Sequence, residues 1–164
     1  MAVVTRYARV ERSVVFAALV RPETYPEWLV GCREIRKVDH SWPEPGSSFH
    51  HRVGLVGPLT IPDSTSVLEI EQDRVLSLEV RARPFVRARS TFRLEDAGMA
   101  DGVAVTRITL EEEPIGQFAP LKPLVDPLIA SRNIASLNAL VAFLNTPTAS
   151  RSDDPSRAAK STAN

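Results

Sequence analysis

The stretch Val75-Leu76-Ser77-Leu78-Glu79-Val80-Arg81-Ala82-Arg83-Pro84-Phe85-Val86-Arg87-Ala88-Arg89-Ser90-Thr91-Phe92-Arg93-Leu94-Glu95 decides the fold. Side chains of a strand point alternately to opposite faces, so the parity of apolar positions shows which face looks inward. Leu76, Leu78, Val80 and Ala82 share one parity, and Val86, Ala88, Ser90, Phe92 and Leu94 carry the corresponding face beyond Pro84. The other parity holds Glu79, Arg81, Arg83, Arg87, Arg89, Thr91, Arg93 and Glu95. These are two strands of one antiparallel sheet with a dry face and a wet face.

Turn chemistry extends the sheet in both directions. Pro43-Glu44-Pro45-Gly46, Gly57-Pro58, Gln72-Asp73, Pro84 and Asp96-Ala97-Gly98 punctuate the chain. They predict strands over Arg33 to His40, Ser48 to Val56, Asp63 to Ile70, Val75 to Arg83, Phe85 to Glu95 and Gly102 to Glu113. Upstream, Val3 to Val10 predicts another strand, and Ser13 is a candidate N-cap for a short apolar helix that Pro22 stops. A second short helical piece follows through Tyr25-Pro26-Glu27-Trp28-Leu29 to Gly31.

A dry sheet face needs a cover, and only the segment from Leu121 to Asn145 is long enough to supply one. Asn133, Leu137, Leu140 and Leu144 recur there at spacings of four, three and four, and Ile134 and Val141 widen the stripe. Pro127 is either the first residue of a helix capped by Asp126 or a kink in a helix begun near Phe118. The small inward residues Ala82, Ala88 and Ser90 imply either close helix contact or empty space, and the scarcity of aromatics favours space. Residues 1–145 thus make one domain, while 146–164 are polar and alanine-rich and read as a disordered tail.

Composition narrows the partners. Twenty basic and twenty acidic residues leave no global field to gather nucleic acid or an anionic membrane. A single cysteine, Cys32, excludes an internal disulfide, and no run approaches the roughly 18 uninterrupted apolar residues that span a bilayer. The start of the chain lacks the pattern of a secretory signal, so the expected setting is cytoplasmic.

The order of elements, with Pro22-Glu23-Thr24-Tyr25-Pro26-Glu27-Trp28 at the helix pair, resembles the START-like superfamily, and more narrowly its bacterial polyketide cyclase/dehydrase branch, SRPBCC. Pro45-Gly46 before the third strand, Phe92-Arg93-Leu94-Glu95 followed by a turn and Val103-Ala104-Val105-Thr106, and Asn133 ahead of Leu137 and Leu140 match as well. The resemblance runs from about Val3 to Asn145. It implies an α+β helix-grip fold of the Bet v 1 type: a curved antiparallel sheet of six to seven strands around a long C-terminal helix, with two short helices after strand one. It also implies an apolar cavity used across the family for lipids, sterols, polyketides or plant hormones, and in some members for cyclisation or dehydration. The family has no universal catalytic residues to carry over.

Parity selects the residues facing that cavity: Phe49, His51 and Val53; Leu78 and Val80; Ala88, Ser90 and Phe92; Thr106 and Ile108; and, from the helix, Asn133 and Leu137. His50 and His51 point to opposite faces, so they cannot share a metal, and His51 alone is the candidate acid-base group. The plainer alternative is a histidine that bonds a neighbour and does no chemistry. Glu112 would join it if the parity of the last strand shifts. Asn133 either meets ligand or ties helix to sheet.

The arginine row faces outward with Glu69, Glu71, Glu79, Glu95 and Glu111, as a solvated, paired surface would. Tyr25 and Trp28 serve packing, and Cys32 is structural. No phosphate loop follows Gly46, Gly54 or Gly57, the last helix has no histidine for an iron site, and no cofactor is expected. The functional expectation is a carrier or sensor of a small hydrophobic ligand, monomeric or homodimeric. The alternatives are a cyclase or dehydratase using the same cavity, or a protein-interaction module of co-chaperone type.

Overall fold

A computed structural model of the chain describes residues 1–54, 60–82, 86–115 and 122–146, with side chains excluded at 82, 86 and 122–125. Seven strands form one sheet: β1 (Ala2–Ala8), β2 (Cys32–Val38), β3 (Ser48–Gly54), β4 (Thr60–Glu71), β5 (Val75–Ala82), β6 (Val86–Ala100) and β7 (Val103–Pro114). Their spatial order is β1-β7-β6-β5-β4-β3-β2, and every pairing is antiparallel. The strands β2 to β7 are therefore a simple meander, and β1 closes onto its far edge. Between β1 and β2 lie α1 (Arg12–Leu19), one 3-10 turn (Pro22–Thr24) and α2 (Tyr25–Trp28); α3 (Lys122–Asn145) ends the described chain.

The facing of β5 and β6 holds only in part, because Ser77, Glu79 and Thr91 on the expected wet face are buried too, Ser77 and Thr91 by bonding each other and Glu79 beneath its arginines. Leu76, Leu78, Ala88, Ser90, Phe92 and Leu94 are buried, while Arg81, Arg87, Arg89 and Arg93 lie outside. Outward charges meet across strands, as Arg93 with Glu111, Arg89 with Glu113 and Arg107 with Glu95. Glu79 accepts from both Arg81 and Arg87. Burial raises the pKa of this carboxyl, but the two guanidiniums outweigh it, so the net shift is downward.

The helix stripe also holds: Asn133, Leu137, Leu140 and Leu144 are buried. Ile134, expected to widen that stripe, is 40% exposed and belongs to the far side of the helix. Pro127 lies inside α3. The segment Asp126–Asn145 is long and apolar enough to cross a membrane by length and composition, yet its leucine stripe is spent on the sheet.

Two local expectations are corrected. The β6–β7 turn is Asp101-Gly102, not Asp96-Ala97-Gly98. Asp101 (φ 51°) and Gly102 (φ 75°) supply the two positive φ values that a tight hairpin requires, whereas Gly98 (φ 88°) sits in a register shift between Asp96 and Met99 within β6. The first helix starts one residue before the expected cap: Glu11 occupies the N-cap, and Ser13 is already helical. The expected tail, the Gly57-Pro58 and Pro84 turns and the region near Phe118 lie outside the described residues, apart from Thr146 at the head of the tail.

Leu140 is fully buried in the cluster where α3 meets the sheet and the short helices. Leu140→Ala is expected to cost about 2–5 kcal/mol, from lost burial plus the void left behind, measured by urea unfolding.

Candidate functional site

The central strands build a floor from adjacent cross-strand rows. Glu112 faces Ser90, and Ser90 faces Leu78; beside them Ala88 faces Val80, and Val80 faces Thr65. A further row sets His51 directly opposite Asp63. Small side chains at Ala88 and Ser90 leave this floor low. Above it stand Arg132 of α3 and the run from Tyr25 to Cys32 through α2 and the turn that follows, enclosing a cavity of about 260 Å³. Val30 N–H donates to Ser136 Oγ at 3.1 Å, tying that turn to α3. Gly31 enables the turn with φ 94°, a conformation that side chains disfavour.

The wall is largely apolar, but beside the neutral Tyr25 and Cys32 it carries His51, Asp63, Glu112 and Arg132. His51 Nε2 lies 3.3 Å from Asp63 Oδ2, with both side chains only 2% exposed. Asp63 Oδ1 also accepts the Ser64 N–H at 2.6 Å, while His51 Nδ1 is buried without a hydrogen-bond partner among the described residues. On the other side, Arg132 Nη1 donates to Glu112 Oε1 at 3.4 Å. Glu112 is almost wholly buried, whereas Arg132 is 36% exposed and reaches out through the rim. Each carboxylate thus has an opposite or hydrogen-bonding group beside it, as burial in apolar surroundings demands.

Cys32 reports the same field. Burial pushes its thiol up to about 11, Asp63 adds to the rise and Arg132 opposes it. Tyr25 donates its hydroxyl to the Leu19 carbonyl at 2.7 Å, and burial, with Cys32 nearby, holds its phenol protonated far above the ordinary range. Tyr25 and Trp28 pack in the core and also line the cavity.

Of the twelve residues expected to face the cavity, His51, Val53, Leu78, Val80, Ala88, Ser90 and Phe92 line it. The other five are buried but do not line it. Phe49 stacks edge-on with Tyr25 and Trp42, Ile108 and Leu137 fill the core, and Thr106 donates to the Val10 carbonyl at 2.7 Å. Asn133 is 1% exposed, and neither amide atom has a protein partner among the described residues. Glu112 turns inward without any parity shift, since it continues the series Thr106, Ile108, Leu110. Sequence reasoning missed Asp63 and Arg132. Asp63 shares the parity of buried Thr65 and Val67, which was legible; nothing local distinguished Arg132 from a solvated charge. Among the described residues no group of three His, Cys, Asp or Glu side chains is placed to hold a metal ion.

No family model matches the chain, and no curated protein matches its sequence. Solved structures do. Protein NE0264 from Nitrosomonas europaea aligns with a TM-score of 0.66 at 20% identity, over 87% of this chain and 92% of that one. Ara h 8.0201 aligns with a TM-score of 0.63 at 16% identity, over 89% and 100%. CalU16 from Micromonospora echinospora aligns with a TM-score of 0.54 at 16% identity, over 91% and 78%. At these identities the likeness shows the fold: a helix-grip architecture of the Bet v 1/SRPBCC type.

A thiol raised to about 11 stays protonated at neutral pH. Cys32 in the folded protein is therefore expected to resist a disulfide reagent at pH 8 and to react promptly once urea unfolds the chain. The sign for stability follows: protection of the neutral thiol contributes below the unfolded value of about 9 and is lost as pH climbs towards about 11.

Proposed function

We propose that this helix-grip chain binds a small, largely apolar molecule between sheet and helix, as a carrier or sensor in the cytoplasm. The observation that supports this best is the cavity itself, sited where the inward residues are small. Its volume of about 260 Å³ falls just under the roughly 300 Å³ at which ligand pockets of drug-sized molecules begin. The ligand is accordingly compact: a short-chain lipid, a small polyketide or a molecule of similar size. Affinity comes from apolar area removed from water at about 25 cal/mol per Å², and orientation from the few polar groups on the wall.

The His51–Asp63 pair favours a second reading, an enzyme of cyclase or dehydratase type. A carboxylate beside one imidazole nitrogen fixes the ring's orientation, and the other nitrogen is then placed to move a proton.

Native mass spectrometry of freshly purified protein is expected to show an adduct that denaturation removes. Ala88→Trp, which fills much of the void from the sheet side, should abolish the adduct while the protein remains folded. An undiminished adduct in that variant would place the ligand elsewhere. On the enzyme reading, His51→Ala should retain the compound unreacted; the same product in both proteins would reject catalysis by His51.

A further inference from the structure

We infer that the cavity selects a ligand whose polar end is uncharged and both accepts and donates a hydrogen bond, of the carboxamide or hydroxy-ketone kind, and that it rejects carboxylates; this rests on the binding role proposed above. The charge count comes first. Two buried carboxylates, Asp63 and Glu112, line the cavity with one permanent cation, Arg132. Even with His51 counted as charged, the sum is zero. Both carboxylates already stand beside these groups, so each positive charge is matched by a negative one even though Arg132 keeps N–H donors to spare. A fatty-acid carboxylate would bring a third acid into an apolar space that already holds two, where like charges repel strongly. An ammonium head would face Arg132 across the same small volume, and it brings donors but no acceptor for the Arg132 N–H groups.

The hydrogen-bond inventory then specifies what does fit. The Arg132–Glu112 contact uses one guanidinium nitrogen and one carboxylate oxygen. Among the described residues no other hydrogen bond is made by the Arg132 guanidinium or by Glu112 Oε2, and both residues line the cavity. That combination offers a donor and an acceptor a few ångströms apart, which complements the carbonyl and N–H of an amide or the carbonyl and hydroxyl of a hydroxy-ketone. Ser90, directly across from Glu112, adds a hydroxyl able to take either role. A ligand with only an acceptor leaves Glu112 Oε2 without a donor, and one with no polar end leaves both groups unanswered.

The test uses four probes of equal chain length, octanamide, octanol, octanoate and octylamine, titrated calorimetrically into the full-length chain. Octanamide is expected to bind at least about ten-fold more tightly than octanoate or octylamine, the cost of one unanswered buried charge. Glu112→Gln removes a negative charge and should shrink the octanamide-to-octanoate ratio by about ten-fold; Arg132→Gln removes the cation and should widen it. Urea unfolding monitors folding of each variant, and if Glu112→Gln does not fold, the opposite shift in Arg132→Gln carries the test. Octanoate or octylamine binding as tightly as octanamide, or a ratio that neither substitution moves, overturns head-group selection while leaving the cavity's binding role intact. Failure of every probe, octanol included, overturns both.

Discussion

The structure depends on a mismatch of cover. The inner face of a seven-stranded sheet is apolar along most of its width, but the one long helix packs chiefly on β1 and β7, at one side. Leu137, Leu140 and Leu144 seal that side with core-like contact. The middle of the sheet, from β3 to β6, is roofed instead by short α2 and the turn after it. Short elements held by a few contacts cannot descend to fill the gap, and small residues on β6 keep the floor from rising to meet them. The interior void is thus a product of topology, and it persists because filling it would need either a second long helix or larger side chains at Ala88 and Ser90.

The charged groups follow from the same geometry. Asp63 and His51 come from neighbouring strands in direct register, so their spacing is set by the sheet alone. Glu112 and Arg132 join sheet to helix, and their contact is only as fixed as that docking. One pair is rigid and the other is adjustable. Arg132 is partly exposed and its contact with Glu112 is long, whereas any movement of Asp63 would tear its bond from the Ser64 amide.

Much of this was legible in the chain because strand parity is a rule of covalent geometry. It identified the dry face of β5 and β6 and the small residues under the cavity, while helical spacing identified the long helix but not that it covers only one side of the sheet. It failed where the decisive fact was three-dimensional. Thr106 and Ile108 obey the parity of Glu112, yet they sit beneath the packed side of the helix and not under the void. Asp63 has a polar side chain in a strand, and its importance appears only through His51 opposite it. Arg132 adjoins the buried stripe in sequence, and only the docking of α3 determines whether such a residue faces water or a cavity. The turn at Asp101-Gly102 was missed for a different reason: both it and Gly98 are plausible breaks, and the register between β6 and β7 decides which one reverses the chain.

The chain holds two tryptophans, and the fold divides them. Trp28 forms part of the cavity wall, with its indole N–H on Thr24 Oγ1 at 3.1 Å. Trp42 lies away from the cavity, its indole N–H held by the Val20 carbonyl at 2.7 Å and its ring edge-on to Phe49. On the binding role proposed above, a guest would change the polarity around the first indole far more than around the second. The ultraviolet emission would then be the sum of a sensing component and an internal reference, and occupancy would be readable in the native chain without any attached dye.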